Sequence, residues 1–277
     1  MDRDDGGIKM DNILRDKVYT HAKQWILDAG EQIRNKINEP RIITTKSNPN
    51  DLVTEMDKQT EVFFISKIKE VFPGHLIIGE EGFGDQVDTL DGIVWIIDPI
   101  DGTMNFVHQK KNFAISIGIY HDGIGEIGLI YDVMADELYH AKRSEGAYKN
   151  KQPLVQLKSN LKFEEALLGM NHYFLCENSF VQETSMQQLV RAVRGNRTYG
   201  SAALEFAYVA EGIIDAYLSM RLAPWDIAAG IILVNEVGGV TTNLYGEDLN
   251  RLKINSILAC NPMIQEQLHH FIEKGRK

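Results

Sequence analysis

The stretch WIIDPIDGTMNF, from Trp95 to Phe106, sends an apolar run directly into two aspartates. Pro99 lies between Asp98 and Asp101. Buried or half-buried carboxylates are costly unless a positive charge lies beside them, so this stretch predicts a bound cation. Proline removes a backbone donor and fixes φ, so we expect Pro99 to end the strand and to turn both carboxylates toward one point.

Oxygen atoms alone would form this cation site. Asp98, the Ile100 carbonyl and Asp101 supply three oxygen ligands from four residues. A donor set without histidine or cysteine favours Mg²⁺ or Mn²⁺ over zinc or copper. The following Gly102-Thr103 predicts the start of a helical turn, whose free N–H groups bind anions. The alternative for this stretch alone is an Asx-turn, because Asp, Pro and Gly are good turn residues.

Three further acids have patterns of the same kind. HLIIGEEG and GIVWIID predict strands that deliver Glu80, Glu81 and Asp98 to their carboxyl ends, where ligands bind in open sheets. PWDIAAGIILVNEVGG places Asp226 in the first turn of an apolar helix with small residues for close packing. In isolation, Asp226 is typical of a helix cap and the two glutamates of solvated loop acids.

Taken together, these acids indicate one kind of chemistry. A two-metal phosphoryl-transfer centre, with metals about 4 Å apart, needs such a group of carboxylates. The sequence has no GxxxxGK[ST], HExxH, GxSxG or EF-hand motif, which lowers support for P-loop, zincin, hydrolase and calcium-sensor functions. Gly123, Gly125 and Gly128 match GxGxxG, but LIYDV after them continues a strand, so we expect a hairpin rather than a dinucleotide site.

Composition excludes several partners. The 277 residues, 44% of them hydrophobic, suffice for one large catalytic unit or two lobes that share a cleft. A formal net charge of -10 repels nucleic acid and anionic membranes, although bound divalent ions would still admit an anionic substrate. Neither a signal peptide nor a membrane-spanning run is recognisable, and the two cysteines lie far apart. We therefore expect a soluble, cytoplasmic protein.

The hydrophobic pattern predicts an α+β or α/β layered sandwich. Residues 1–10 have the composition of a flexible tail, and amphipathic helices follow over Asn12–Ile37 and from Lys58 to Pro73. Period-two alternation after Asn112 predicts an antiparallel meander. The second half alternates strands and helices. We expect an N-terminal lobe over residues 11–158, which holds most metal ligands, and a C-terminal α/β lobe over residues 159–277, which holds Asp226.

GEEG, WIIDPIDGTMNF and PWDIAAG, in this order and spacing, resemble the inositol monophosphatase family of Mg²⁺-dependent, lithium-sensitive sugar-phosphate phosphatases. The resemblance extends from about Asn12 to the end of the chain. It implies a layered inositol-monophosphatase/fructose-bisphosphatase-like fold, a homodimer, and a site between the lobes. It also implies two to three Mg²⁺ per subunit, with Mn²⁺ as a substitute, and a small phosphorylated metabolite as substrate.

The resemblance also implies residue roles. One metal would be held by Glu80, Asp98 and the Ile100 carbonyl. The second would be held by Asp98, Asp101 and Asp226. Glu80 would also contribute to a third, weaker metal site. Thr103, oriented by Asp57, would act with Glu80 to activate the attacking water. Asp57 is also a candidate N-cap of the Lys58 helix, and Ser201 is a candidate plain N-cap. The substrate contacts implied are Asp101, Gly102, Thr103, Gly200, Ser201 and Ala202.

One position departs from the inositol-hydrolysing members of the family. Seven residues before Asp226 those proteins carry a glutamate for ring hydroxyls, whereas this chain has Ser219, followed by Arg221. Arg221 is either a substrate contact or a solvated loop charge. The alternative substrates are therefore fructose 1,6-bisphosphate, an adenosine bisphosphate or the 2′-phosphate of NADP. A non-enzymatic alternative is a metal-holding regulatory protein that kept the fold and lost turnover.

Overall fold

The structure, a computed structural model, describes residues 10–39, 43–45 and 52–277. The α-helices are α1 (Asn12–Lys36), α2 (Glu55–Val71), α3 (Thr103–Gln109), α4 (Glu183–Ala192), α5 (Ala202–Glu211), α6 (Pro224–Glu236) and α7 (Gln265–Lys274). The strands are β1 (Ile43–Thr45), β2 (Leu52–Thr54), β3 (Leu76–Gly79), β4 (Ile93–Asp101), β5 (Ala114–His121), β6 (Ile124–Asp132), β7 (Glu137–Lys142), β8 (Ala147–Lys149), β9 (Gln152–Pro153), β10 (Leu167–Met170), β11 (Gly195–Arg197), β12 (Ala216–Leu222), β13 (Val240–Thr242) and β14 (Asn255–Cys260).

A seven-stranded sheet occupies the first half of the chain. Its strand order is β3-β4-β5-β6-β7-β8-β9. Strands β3 and β4 are parallel, and every later neighbour is antiparallel, so the predicted meander is confirmed. The GxGxxG glycines lie in the β5–β6 hairpin and in β6 itself, as the strand pattern predicts.

A five-stranded sheet occupies the second half. Its order is β11-β10-β12-β14-β13, with β10 parallel to both neighbours and the other pairs antiparallel. Strand β12 has an irregular register against β14 between Ser219 and Leu222. The carboxyl end of β12 therefore departs from regular pairing where the chain turns into α6.

Five layers pack in the order helix, sheet, helix, sheet, helix, and the predicted layered fold is confirmed. Helices α1 and α2 cover the outer face of the seven-stranded sheet, and the helical stripe of α1, including Val18, Ala22 and Ile26, is buried. Helices α5 and α6 lie between the two sheets. Helices α4 and α7 cover the outer face of the five-stranded sheet. Both halves of the chain thus share the α5–α6 layer.

Small residues bring α6 against the seven-stranded sheet. A Cβ added at Gly118 would lie 2.6 Å from the Ala228 Cβ, and one added at Gly128 would lie 2.7 Å from the Ala229 carbonyl oxygen. Gly230 faces the Phe206 ring of α5 in the same way. The close approach predicted for this segment is confirmed. It fixes the first turn of α6 beside the carboxyl end of β4.

Two local expectations need correction. The predicted tail lies outside the described residues except for Met10, which is buried. Pro99 does not end its strand, because β4 continues to Asp101. The register against β5 shifts between Asp98 and Asp101, and a proline is tolerated at such a bulge because no ladder bond is required of it. No helix among the described residues combines the length and the apolar character that a bilayer crossing requires.

Candidate active site

Three aspartates from both halves of the chain converge. Asp98 and Asp101 lie at the bulge of β4, and Asp226 lies in the first turn of α6. One carboxylate oxygen from each lies within 4.8 Å of the other two. Asp98 and Asp101 are buried, and Asp226 is half-buried. The cluster is therefore a compact, oxygen-only donor set from segments 125 residues apart in sequence, Asp101 to Asp226.

Glu80 belongs to the same site. It follows β3, whose last residue Gly79 pairs with Ile97 of the parallel strand β4. The Glu80 N–H donates to the Ile97 carbonyl at 3.3 Å, and burial and the negative charge of Glu80 raise the pKa of the Asp98 carboxyl. Parallel pairing thus carries both acids to the same sheet edge, as the two strand endings predict.

Mutual repulsion makes this cluster a good fit for a cation. Burial, then the charges of Glu80, Asp101 and Asp226, raise the pKa of Asp98 well above its usual value. Burial raises the pKa of Asp101 to about 6, against the hydrogen bonds from Ser201 and Ala203. A divalent cation would relieve both effects, and carboxylate oxygens are the donors that Mg²⁺ prefers.

The bulge also brings a backbone carbonyl to the site. The Ile100 N–H donates to Asp98 Oδ1 at 3.0 Å, which folds the backbone around that carboxylate. The Ile100 carbonyl accepts a hydrogen bond from Thr103 Oγ1 at 3.1 Å. The hydroxyl of Thr103 and the two β4 aspartates are therefore held by one short turn.

Asp57 and Thr103 are in contact. The single hydroxyl proton of Thr103 is shared between the Ile100 carbonyl and Asp57 Oδ1, which lies 3.2 Å from Oγ1. Asp57 Oδ2 accepts from the Thr54 N–H at 2.9 Å and from the Thr54 hydroxyl. The N-cap of α2 is thus Thr54, not Asp57, because the helix begins three residues earlier than its apolar pattern indicates. Asp57 is the acidic member of the capping box. Burial raises its pKa, although the Thr54 donors oppose the shift.

The start of α5 closes the site from the second half of the chain. Ser201 is the N-cap and accepts from the Leu204 N–H at 3.2 Å. Its hydroxyl donates to Asp101 Oδ2, which also accepts from the Ala203 N–H at 2.7 Å. Ser201 is therefore a cap and a partner of Asp101 at once. Gly102 has φ of +90°, and a Cβ there would lie 3.1 Å from the Gly200 carbonyl oxygen, so this junction requires glycine.

A cavity of about 270 Å³ lies beside the aspartates. Ser219 is buried in its wall, and Arg221 is exposed at it. Four polar residues of this wall have no recognisable motif in the sequence, because each comes from a different segment of the chain: Asn171, Thr198, Glu205 and Tyr217. The lining residues are Asp101, Asn171, Thr198, Gly200, Ser201, Ala202, Glu205, Tyr217, Ser219, Arg221, Leu222 and Asp226.

Glu205 holds the backbone of the cavity wall in the turn before α5. Its Oε1 accepts from the N–H groups of Tyr199 at 3.0 Å and Gly200 at 3.3 Å, and burial raises its pKa to about 7. The Asn105 side chain donates to the Tyr199 carbonyl at 2.7 Å from the opposite side. The turn before α5 is thus fixed by both halves of the chain.

Residues 14–276 match the inositol monophosphatase family. The chain belongs to this family. It is 56% identical to an inositol-1-monophosphatase of Bacillus subtilis over 92% of this chain and 96% of the relative. A solved Staphylococcus aureus inositol monophosphatase II with bound 2′AMP is 43% identical, covers 93% of this chain and 95% of its own, and has a TM-score of 0.85. A solved inositol monophosphatase/NADP phosphatase with Mg²⁺ and phosphate is 26% identical, covers 95% and 99%, and has a TM-score of 0.86.

Proposed function

We propose that this protein is a Mg²⁺-dependent phosphomonoesterase that hydrolyses a small phosphorylated metabolite similar to inositol monophosphate. The observation that carries the proposal is the convergence of Asp98, Asp101 and Asp226 within 4.8 Å. Two of these carboxylates are buried, and a purely structural role would leave their repulsion unrelieved. The similarity to the Bacillus enzyme supports the same activity.

The donor set suggests how metals would be held. Glu80, Asp98 and the Ile100 carbonyl would hold one ion, and Asp98, Asp101 and Asp226 the second, with Glu80 shared with a third. When bound, the ions would neutralise charge on the phosphoryl oxygens and lower the pKa of the attacking water. Mn²⁺ has the same preference for oxygen donors and is the expected substitute.

The chain itself would handle the proton of the attacking water. Thr103 Oγ1 donates to Asp57, so the hydroxyl has an acceptor for its own proton when it takes one from the water. The raised pKa of Asp57 makes its carboxylate a better proton acceptor than an exposed aspartate. Glu80 lies on the neighbouring strand end as a second acceptor. In-line attack on the phosphoryl group would then displace the leaving alkoxide.

Backbone groups around the two glycines would hold the substrate. Gly102 and Thr103 follow Asp101, and Gly102 packs against Gly200 and Ser201 at the edge of the cavity that Gly200, Ser201 and Ala202 line. The N–H groups of Gly102 and Thr103, at the start of α3, would bind phosphoryl oxygens, whereas those of Gly200 and Ala203 already donate to Glu205 and Asp101. The leaving group would then occupy the cavity lined by Ser219 and Arg221.

A second candidate function is the same chemistry on a substrate with another anionic group. Ser219 offers no carboxylate to ring hydroxyls, and the exposed guanidinium of Arg221 lines the same cavity. Such a second anionic group is present in fructose 1,6-bisphosphate, in an adenosine bisphosphate and in NADP, where it accompanies the 2′-phosphate. A relative with NADP phosphatase in its name supports this alternative, because NADP carries a pyrophosphate besides its 2′-phosphate.

A phosphate-release panel with Mg²⁺ tests both candidates. We expect release from inositol 1-phosphate, fructose 1,6-bisphosphate, 2′-AMP, adenosine 3′,5′-bisphosphate or NADP, with one substrate preferred by kcat/KM. Metal binding without release from any of them would favour the non-enzymatic alternative. The contact between Thr103 and its acceptor Asp57 argues against the non-enzymatic alternative, because a protein that only binds metal needs no proton relay.

Two further properties are expected. Lithium should inhibit phosphate release, and the soaked inhibitory complex of a staphylococcal relative supports this expectation. The protein should be a homodimer, which light scattering at micromolar concentration would test. An enzyme that is insensitive to lithium would indicate a metal site of different composition.

A further inference from the structure

A fully buried glutamate, Glu61 on α2, contacts the loop that carries Glu80. Its Oε2 accepts from the Glu81 N–H at 2.7 Å, and its Oε1 accepts from the Phe83 N–H at 2.9 Å. Both carboxylate oxygens are therefore used by the loop that begins at Glu80. The sequence gives no functional signal for Glu61, because a polar position in a helical stretch is typically solvated.

Gly79 provides the space for this carboxylate. A Cβ added at Gly79 would collide with the carboxyl carbon and both oxygens of Glu61. Gly79 precedes Glu80 and Glu81 follows it, so Glu61 touches the chain on both sides of Glu80. The backbone at Glu80 is thereby held from the helix side, in addition to its own bond to Ile97.

The far end of this loop has different anchors. Asp85 accepts from the Ile77 N–H at 2.9 Å and pairs with Lys69 at 2.8 Å, and its own N–H donates to the Ile77 carbonyl. Lys69 also lies on α2 but two turns beyond Glu61. Lys69 and Asp85 therefore stabilise the same loop without touching the residues next to Glu80.

One face of α2 serves two different groups of the site. Asp57 and Glu61 are four residues apart, which places both on one side of the helix. Asp57 contacts the Thr103 hydroxyl, and Glu61 holds the backbone beside Glu80. Thr103 and Glu80 are the two groups assigned to the attacking water, so α2 fixes the spacing between them.

We propose that Glu61 is a positioning residue that sets metal affinity and water activation by fixing the Glu80 loop. The inference rests on the proposed function, since Glu80 matters here as a metal ligand. Two N–H donors require an acceptor at each oxygen of residue 61, which glutamate supplies and glutamine does not. In E61Q, the amide NH₂ would face an N–H donor, and one end of the loop contact would break with little change in volume.

The test compares E61Q with K69M, which removes the anchor at the far end of the loop. Calorimetric Mg²⁺ and Mn²⁺ binding, the Mg²⁺ dependence of phosphate release and melting without metal are measured for both. We expect E61Q to weaken metal binding by about 10- to 100-fold, the range for residues that orient metal ligands, and to lower kcat. K69M should lower the melting temperature but leave metal affinity within about twofold, because this half-buried ion pair stabilises the far end of the loop without contacting the residues next to Glu80.

Two more variants address folding and coupling. G79A presses on the Glu61 carboxyl from the opposite side and should weaken metal binding in the same way as E61Q, so it serves if E61Q fails to fold. In an E80Q background, E61Q should change metal affinity by less than about twofold, because the two residues act through one ligand.

Three outcomes would overturn the positioning role. The first is an E61Q variant with a lower melting temperature and metal affinity within twofold of wild type. The second is an equal loss of metal affinity in K69M. The third is an undiminished effect of E61Q in the E80Q background. Wild-type protein that binds no Mg²⁺ would overturn the proposed function as well, which separates the two failures.

Discussion

The two sides of the cavity differ in how firmly their residues are held. On the acidic side, Asp57, Asp98 and Asp101 are buried, and each accepts a hydrogen bond from a backbone N–H group. On the opposite side, Arg221 is exposed and lies where β12 loses regular pairing with β14. Burial and backbone bonds leave the first group almost no freedom, whereas an irregular strand end tolerates different side chains.

We expect the firmly held acidic side of the cavity to carry out the reaction and the opposite side to determine substrate preference. The acids are fixed by the packing of α6, the bulge of β4 and the start of α5, so a change there disturbs several layers at once. Arg221 can change without disturbing a layer. We therefore expect large losses of turnover from substitutions on the acidic side and shifts of substrate preference from the other.

The largest effect is expected from D98N. Removal of the carboxylate shared by both proposed metal sites should lower kcat by at least about 10³-fold, because several kcal/mol of charge stabilisation are lost. Relief of repulsion with Glu80, Asp101 and Asp226 should leave the metal-free protein at least as stable as wild type. Phosphate-release assays and thermal melts measure both quantities. Near-full turnover would refute the assigned role of Asp98.

A smaller loss is expected from T103A. Without the hydroxyl that contacts Asp57, proton transfer from the water should slow by about 10²-fold in kcat. T103S keeps the hydroxyl and is the matched control, with most of the activity retained. Calorimetric Mg²⁺ affinity should stay within about twofold in both variants. An equal loss in T103S and T103A would show that the methyl group, rather than the proton relay, matters.

The opposite side of the cavity is tested by R221Q and S219E. Loss of the guanidinium should lower kcat/KM by about tenfold for bisphosphate or nucleotide substrates, which corresponds to about 1.4 kcal/mol. Inositol monophosphate hydrolysis should change by less than about twofold. S219E should favour inositol monophosphate over the more anionic substrates. An equal loss of kcat/KM on all substrates in R221Q would show that Arg221 does not determine substrate preference.

The smallest effect is a pH dependence of stability. The folded-state pKa of Asp101 is about 6, above its ordinary value of 3.8, and that of Asp98 is also raised. Such groups do not destabilise the fold below about pH 4, and their charge destabilises it increasingly as pH rises through the folded pKa. Metal-free protein should therefore lose stability from about pH 4 to pH 7. Mg²⁺ should raise the melting temperature by several degrees more at pH 7.5 than at pH 5.5, and the D98N variant should show a smaller difference.

Local sequence patterns predict those parts of the molecule that depend on neighbours in sequence. The buried stripe of α1 follows its 3.6-residue period, and the close packing of α6 follows from Ala228, Ala229 and Gly230. The β5–β6 hairpin is likewise predicted, because the apolar alternation continues past the GxGxxG glycines.

The remaining features depend on contacts between distant segments. Ser201 and Ala203 bind Asp101 across about 100 residues, and no local pattern encodes that distance. Proline chemistry predicts that β4 ends at Pro99, but pairing of Asp101 with Ala114 on β5 continues the strand beyond it. Glu61 lies on the same face of α2 as the buried Phe64 and Ile68, but only the fold shows that its carboxylate faces the Glu80 loop. Tertiary pairing overrides local propensity at each of these positions.

The most direct test of the site is anomalous scattering from crystals soaked with Mn²⁺ and phosphate. We expect at least two Mn²⁺ peaks, with Asp98 bound to both ions, Asp101 and Asp226 bound to one, and phosphate oxygens on the same ions. Ligand distances should be about 2.0–2.2 Å, as for small divalent ions with oxygen donors. A crystal with phosphate bound and no Mn²⁺ peak at these three aspartates would contradict the account.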